Sequence, residues 1–174
     1  MSELKHRWRT EKILTLEQAA AKAEELRQAG KRIVTLNGAF DILQAGHLDM
    51  LEESKQQGDV LFVGMNSDES VKNGKGPERP FVPEEQRAAL LAALICVDYI
   101  VIIDAPYKQV QDILIETVKP HIHANGGDYG APETWIEWPV MKKNGVEPYK
   151  VERRPGLATS DIVAKIRKST QENA

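Results

Sequence analysis

Four stretches of this 174-residue chain gather small, cationic and hydroxyl side chains of the kind that hold phosphate. The first is Asn37-Gly38-Ala39-Phe40-Asp41, continuing to Gln44-Ala45-Gly46-His47. The second is Asn66-Ser67-Asp68, followed by Lys72, Lys75 and Arg79. The third is Gly126-Gly127-Asp128-Tyr129. The fourth is Arg153-Arg154-Pro155-Gly156, leading to Ala158-Thr159-Ser160. Anions are held by backbone N–H groups, helix N-termini and cations, and these stretches supply all three. Gln44 and His47 are three residues apart, so both can face one way at a helix start. Together with that N-terminus His47 can hold a phosphate; the same two residues also fit a plain cap and a surface group. Thr159 and Ser160 fit helix caps, and a cap can also hold a triphosphate. Lys75 lies between Gly74 and Gly76 and fits either a solvated loop or a mobile loop that grips phosphate.

Two familiar phosphate motifs are missing, Gly-x-x-x-x-Gly-Lys-Ser/Thr and Gly-x-Gly-x-x-Gly, which weakens P-loop hydrolase and dinucleotide oxidoreductase readings. No Ser–His–Asp or paired-carboxylate arrangement stands out. The single cysteine, Cys96, excludes an intrachain disulfide framework and a multi-Cys metal site, and its apolar surroundings suit a small buried hydrophobe. His121 and His123 alternate on a strand and suit core or surface roles. Trp135 and Trp138 suit packing or a dimer contact.

The elements that must position these residues alternate. Thr15 and Gln18 form a capping box for a first helix that ends at Gly30. Ile33–Leu36 is a strand, Gly46–Gln57 a helix, and Val60–Met65 a continuous apolar run of the kind buried on both faces. Val71 to Pro83 has no periodicity and reads as a loop. Pro83, Glu84 and Glu85 suit the first turn of a helix. Tyr99–Ile103 is a strand, Pro106–Val118 a helix and His121–Ala124 a strand. A weaker helix over Glu133–Lys143 is interrupted by Pro139. A strand over Val146–Val151 and a helix over Thr159–Lys168 complete the chain. The expected fold is therefore α/β: a Rossmann-like, doubly wound, five-stranded, mainly parallel sheet flanked by helices. In such sheets ligands bind beyond the carboxyl ends of the strands, where the four stretches lie.

Length suits one domain over residues 13–170, with a polar arm at 1–12 and a tail at 171–174. With 41% hydrophobic residues the chain can bury a core. A net charge of -3 gives no broad basic field for nucleic acid. No apolar run approaches the ~18 residues of a membrane helix, and the polar N-terminus lacks a secretory signal, so a cytoplasmic protein is expected.

The run Thr35 to His47 resembles the signature of the cytidylyltransferase-like nucleotidyltransferases, whose hallmark is His-x-Gly-His at a helix start. The likeness extends through Asn66-Ser67-Asp68, Lys75-Gly76, Arg79-Pro80, Glu85-Gln86-Arg87, Val97-Asp98, Lys119-Pro120, Gly126-Gly127-Asp128-Tyr129 and Thr159-Ser160. Within that family the chain looks most like the heptose-1-phosphate adenylyltransferases. Three positions depart: Gln44 replaces the first histidine, Asn125 stands where the heptose enzymes tend to have Lys, and Ala39 where they tend to have Cys. A Gln amide donates a hydrogen bond but cannot become cationic.

The resemblance implies a nucleoside triphosphate, ATP in the heptose branch, joined to a sugar 1-phosphate with release of pyrophosphate. The substrate phosphate is itself the nucleophile, so catalysis rests on positioning and charge stabilisation. Gln44, His47 and Lys75 are the expected catalytic residues. Asn37, Gly38, Ala39, Phe40, Gly46, His47, Gly126, Gly127, Asp128, Thr159 and Ser160 are the expected nucleotide contacts. Asp41, Asn66, Asp68, Arg79 and Arg87 are expected on the sugar phosphate, with Asp41 alternatively orienting its loop. Mg²⁺ is expected to arrive with the triphosphate, with no protein metal ligands assigned. A homodimer is expected from the resemblance alone. Two other readings stay open: a cytidylyltransferase for a small alcohol phosphate such as glycerol 3-phosphate, and a non-catalytic nucleotide-binding or sensor protein in which Gln44 has removed activity.

Overall fold

Val60–Asn66 buries all seven of its residues, and the rest of the molecule is arranged around that strand. The computed structural model describes residues 7–126, 130–152, 157 and 159–171. In chain order the elements are α1 (Arg7–Thr10), β1 (Ile13–Leu14), α2 (Leu16–Gln28), β2 (Ile33–Gly38), α3 (Ala45–Lys55), β3 (Val60–Asn66), α4 (Asp68–Lys75), α5 (Glu84–Ala92), β4 (Tyr99–Ile103), α6 (Val110–Val118), β5 (Ile122–Asn125), α7 (Trp138–Asn144), β6 (Glu147–Lys150) and α8 (Thr159–Gln171).

The strands form one sheet in the order β1-β4-β3-β2-β5-β6, with every neighbouring pair parallel. From β2 the chain winds outward through β3 and β4, then returns to place β5 and β6 on the other side of β2. The β2–β5 boundary is therefore the switch point, where a crevice opens beyond the strand ends. Both sheet faces are covered. Leu36, Leu51, Val63, Leu91 and Ile100 pack on the face under α3 and α5. Ala19, Ala23, Phe62, Val101, Leu114 and Val118 pack on the face under α2 and α6. This double coverage explains the unbroken apolar run of β3.

The doubly wound parallel sheet agrees with the sequence, and so does the Thr15–Gln18 capping box, closed by hydrogen bonds of 3.1 and 2.9 Å. Three expectations are corrected. The sheet has six strands rather than five, because the two residues of β1 are too few to show a period. The stretch expected as a loop from Val71 begins inside helix α4, capped by Ser67, whose hydroxyl accepts from the Ser70 N–H at 3.0 Å. Its acids Asp68 and Glu69 lead and its lysines Lys72 and Lys75 trail, which suits the helix dipole, but only Ser70 and Val71 are buried, so no apolar stripe marks it. Pro139 does not interrupt a helix: it lies in the first turn of α7, where proline is tolerated, after a separate 3-10 turn at Pro132–Thr134. The expected polar arm holds the short α1. No helix among the described residues is long and apolar enough to cross a membrane.

Candidate active site

The chain leaves β2 at Gly38 and must turn sharply to enter α3. Phe40 and Ile42 do this with φ of +50° and +57°. A left-handed β-branched residue is a costly conformation that persists only when its surroundings fix it. Asp41, 2% exposed, supplies the fixation from between them. Its carboxylate accepts the N–H groups of Phe81 at 2.9 Å and Val82 at 3.0 Å and the Arg79 guanidinium at 2.5 Å. Burial pushes the Asp41 carboxyl up, but those donors hold it below its ordinary range. Arg87 props the same loop from beneath, donating to the carbonyls of Ala39 at 2.5 Å and Asn66 at 2.9 Å and to the Asp68 carboxylate at 2.7 Å.

Gln44 is the N-cap of α3. Its Oε1 accepts from the Gly46 N–H at 2.5 Å, and its Nε2 donates to the Leu157 carbonyl at 3.3 Å. The Gln44 N–H donates to His47 Nδ1 at 3.3 Å, which assigns the imidazole proton to Nε2. Burial, reinforced by the charge of Lys75 and opposed by Asp41, drops the His47 pKa to about 4. His47 is thus a neutral donor, its ring against Phe40 with centroids 5.5 Å apart. Gly46 has no room for a side chain: a Cβ there would lie 2.8 Å from the Leu157 carbonyl oxygen and 3.0 Å from Gln44 Oε1.

Lys75 ends α4 with its ammonium 5.8 Å from the centroid of the Tyr107 ring. It forms no ion pair among the described residues. Burial, and then the charge of Arg79, lower its pKa, with Asp41 opposing. Lys75, Arg79, Ser160 and Arg167 line one open groove between the end of α4 and α8. Thr159 ties α8 to the β2–α3 loop by donating to the Asp41 carbonyl at 3.3 Å.

A second space lies at the switch point, a cleft lined by Asn37, Gly38, Asn66, Tyr107, Lys108, Gln111, Asn125, Ile136 and Glu137. Beneath it runs a buried polar chain. Thr35 Oγ1 lies 2.8 Å from His123 Nδ1, His123 Nε2 lies 3.6 Å from Glu137 Oε1, and Asn125 Nδ2 donates to that same oxygen at 2.6 Å.

The structure therefore brings Asn37, Gly38, Ala39, Phe40, Gly46, His47, Lys75, Arg79, Thr159 and Ser160 to one end of the sheet, with Asn66 on the cleft side. Other expected roles change. Arg87 has a guanidinium with no exposed surface and four protein acceptors, including the Val82 carbonyl, so it braces the loop and is not open to a substrate phosphate. Asp41 likewise orients its loop, the alternative raised for it above, and both its oxygens are occupied. Asp68 is engaged at its carboxylate by Arg87 and at its N–H by Glu84. The Gln44 amide is engaged at both ends, its oxygen capping α3 and its nitrogen donating to the Leu157 carbonyl. Gly126 donates to Asn125 Oδ1 at 3.0 Å, while Gly127 and Asp128 lie outside the described residues. Among residues not anticipated as ligands, Tyr107 and Lys108 lie in the segment that leads from β4 to α6, and the strand-end rule points to them. Glu137 lies twelve residues beyond β5 in no motif, so nothing in the sequence signals it. His121 and Trp135 are structural: His121 Nδ1 accepts from the Ile33 N–H, and Trp135 packs with Ile115, Met141 and Val146.

Comparison with known proteins decides the family. The model of the family described as Cytidylyltransferase-like matches residues 35–166, from β2 into α8. The chain belongs to the cytidylyltransferase-like family. Its relatives include proteins named bifunctional protein HldE. The one from Geotalea uraniireducens is 42% identical over 158 residues, covering 90% of this chain and 31% of that protein. The one from Nitratiruptor sp. is 49% identical over 147 residues, covering 83% and 30%. The chain thus spans about a third of the length of these curated relatives. Among solved structures, the lipopolysaccharide core biosynthesis protein from Thermoplasma volcanium is 32% identical with a TM-score of 0.57, covering 72% of this chain and 98% of that one. Pantoate-beta-alanine ligase from Francisella tularensis, at 15% identity and a TM-score of 0.64 over 89% of this chain and 76% of its own, shares the fold. In this cytidylyltransferase-like chain, the matched segment holds both the cradle around α3 and the cleft beside it.

Proposed function

We propose that this chain is a nucleotidyltransferase that joins ATP to heptose 1-phosphate, giving a nucleotide sugar and pyrophosphate. One observation carries the reading: the N-terminus of α3, His47 and Lys75 lie beside an open polar cleft at the switch point of the sheet. The first is a place for polyphosphate and the second a place for the acceptor. The names of the relatives, and a lipopolysaccharide core biosynthesis protein among the similar structures, support a sugar phosphate as acceptor.

In this reading an oxygen of the acceptor phosphate attacks the α-phosphorus. The bond from that phosphorus to the bridging oxygen breaks, and pyrophosphate leaves with the electron pair. His47 Nε2–H and the backbone N–H groups of Gly38, Ala39 and Phe40 donate to the triphosphate, and Lys75 balances charge that grows at the transferring group. Ser160 and Arg79 hold the outer phosphates. Mg²⁺ carried by the triphosphate would supply charge neutralisation there; the carboxylates nearest the cradle, such as Asp41, are already filled by protein donors. The resemblance also implies a homodimer, and exposed Leu90 and Ile95 near the end of α5 offer an apolar face for it, which sedimentation would test.

The deciding experiment measures pyrophosphate release with ATP, CTP, GTP and UTP against heptose 1-phosphate and glycerol 3-phosphate. Release with ATP and heptose 1-phosphate above all other pairs is expected. Preference for CTP with glycerol 3-phosphate would move the chain to the small-alcohol branch. Gln44 capping α3 favours one further reading, a nucleotide-binding protein without turnover. Binding with no release from any pair would establish it.

A further inference from the structure

The cleft at the switch point has a floor unlike a phosphate site. Asn37, Asn66, Gln111 and Asn125 present amides, each able to donate and accept. Glu137 stands among them, 4% exposed. Burial pushes its carboxyl up, yet the His123 ring and the Asn125 amide hold it below its ordinary range, so it is anionic near neutral pH. Its partner Asn125 donates to Glu137 Oε1 at 2.6 Å, an amide bracing a carboxylate. His123 Nε2, fully buried, stands 3.6 Å from Glu137 Oε1, beneath the cleft rather than in its lining.

A carboxylate accepts hydrogen bonds and never donates, so the group facing it must be a donor. A hydroxyl meets that demand and can also pair with the surrounding amides, while the Tyr107 ring offers an apolar face to the carbons of a sugar. An anion placed against Glu137 itself meets repulsion, although Lys108 also lines the cleft. We propose that Glu137 determines acceptor specificity: it takes hydroxyl donors from the sugar end of the substrate and rejects sugars that carry a second anionic group there. This rests on the function proposed above, since it assigns the cleft to the acceptor.

The test is calorimetric binding of heptose 1-phosphate, of the same sugar bearing a second phosphate at its far end, and of a non-hydrolysable ATP analogue. Wild type and Glu137→Gln are compared, the substitution keeping size and removing charge. Charge-assisted hydrogen bonds are roughly twice as strong as neutral ones. The variant is therefore expected to bind heptose 1-phosphate at least about tenfold more weakly and to lose most of the preference for one phosphate over two. Its affinity for the ATP analogue should stay within about twofold, which also shows that it is folded. Unchanged affinity for heptose 1-phosphate, or no binding of it by the wild type, overturns the assignment. Loss of the ATP analogue instead would mean that the cleft takes the base. If the wild type binds heptose 1-phosphate through Glu137 but releases no pyrophosphate, the proposed function fails and the assignment of Glu137 stands.

Discussion

In the proposed reaction, three side chains around the start of α3 divide the work that a charged pair of histidines would share. His47 is neutral in the free protein and donates from Nε2. Lys75 brings the positive charge. Gln44 holds the helix start together, with both ends of its amide engaged. If the histidine that Gln44 replaces supplies charge to the transferring phosphates, Gln44→His should raise the single-turnover rate at saturating substrates by at least about tenfold, or ~1.4 kcal/mol of barrier. An unchanged or lower rate would make Gln44 an adapted cap whose loss simply loosens α3. For Lys75, a group that meets charge developing in the transition state, Lys75→Ala should cut turnover by about 10²–10³ while nucleotide affinity falls much less. Steady-state kinetics with separate nucleotide titration would show this split, and an equal fall in affinity with unchanged turnover would place Lys75 in ground-state binding.

His47 also links stability to pH. Its pKa is depressed to about 4 in the folded chain, against an ordinary value near 6.5, so the unfolded chain binds more protons between those limits. The stability contributed by neutral His47 is complete above about pH 6.5 and is lost as pH falls toward 4, by at most about 3 kcal/mol. Urea unfolding of the wild type and His47→Asn from pH 4 to 7 should show a steeper rise with pH in the wild type. Parallel curves would mean that His47 titrates normally.

The elements set the limits on these residues. The β2–α3 loop is held in left-handed backbone at Phe40 and Ile42 by the buried carboxylate of Asp41, and α3 approaches Leu157 so closely that residue 46 must lack a Cβ. Because the blocking atom at Leu157 is a backbone oxygen, it cannot swing aside. Gly46→Ala should therefore displace the start of α3, costing about 1–3 kcal/mol of stability and more than tenfold in nucleotide affinity. Thermal unfolding with nucleotide titration would measure both, and a variant with wild-type affinity would show that the N-terminus of α3 does not seat the phosphates. Much at this scale was legible. The apolar run of β3, the Thr15–Gln18 box and the glycine of Gly46-His47 all carry local signals. Helix α4 was not, since its evidence is charge order rather than an apolar stripe. Nor were the roles of Asp41 and Arg87: a charged residue near a phosphate motif reads as a ligand, and only the fold shows that its hydrogen bonds close inside the protein.

At the scale of the molecule, the parallel order β4-β3-β2-β5 decides where chemistry can occur, because the winding reverses beside β2 and opens a crevice there. Strand alternation in the sequence points to this end of the sheet as the place for a ligand. It could not reveal Glu137, which leads into α7 twelve residues after β5 and is brought back to the strand's end by its hydrogen bond from Asn125. The proposed reaction has one geometry, attack on the α-phosphorus by a phosphate seated at the crevice. ATP labelled at the α-phosphorus, incubated with heptose 1-phosphate, tests that geometry directly. The label should pass into the nucleotide sugar, one for one with unlabelled pyrophosphate. Label recovered in ADP with orthophosphate released, or in free AMP without a labelled sugar product, would contradict it.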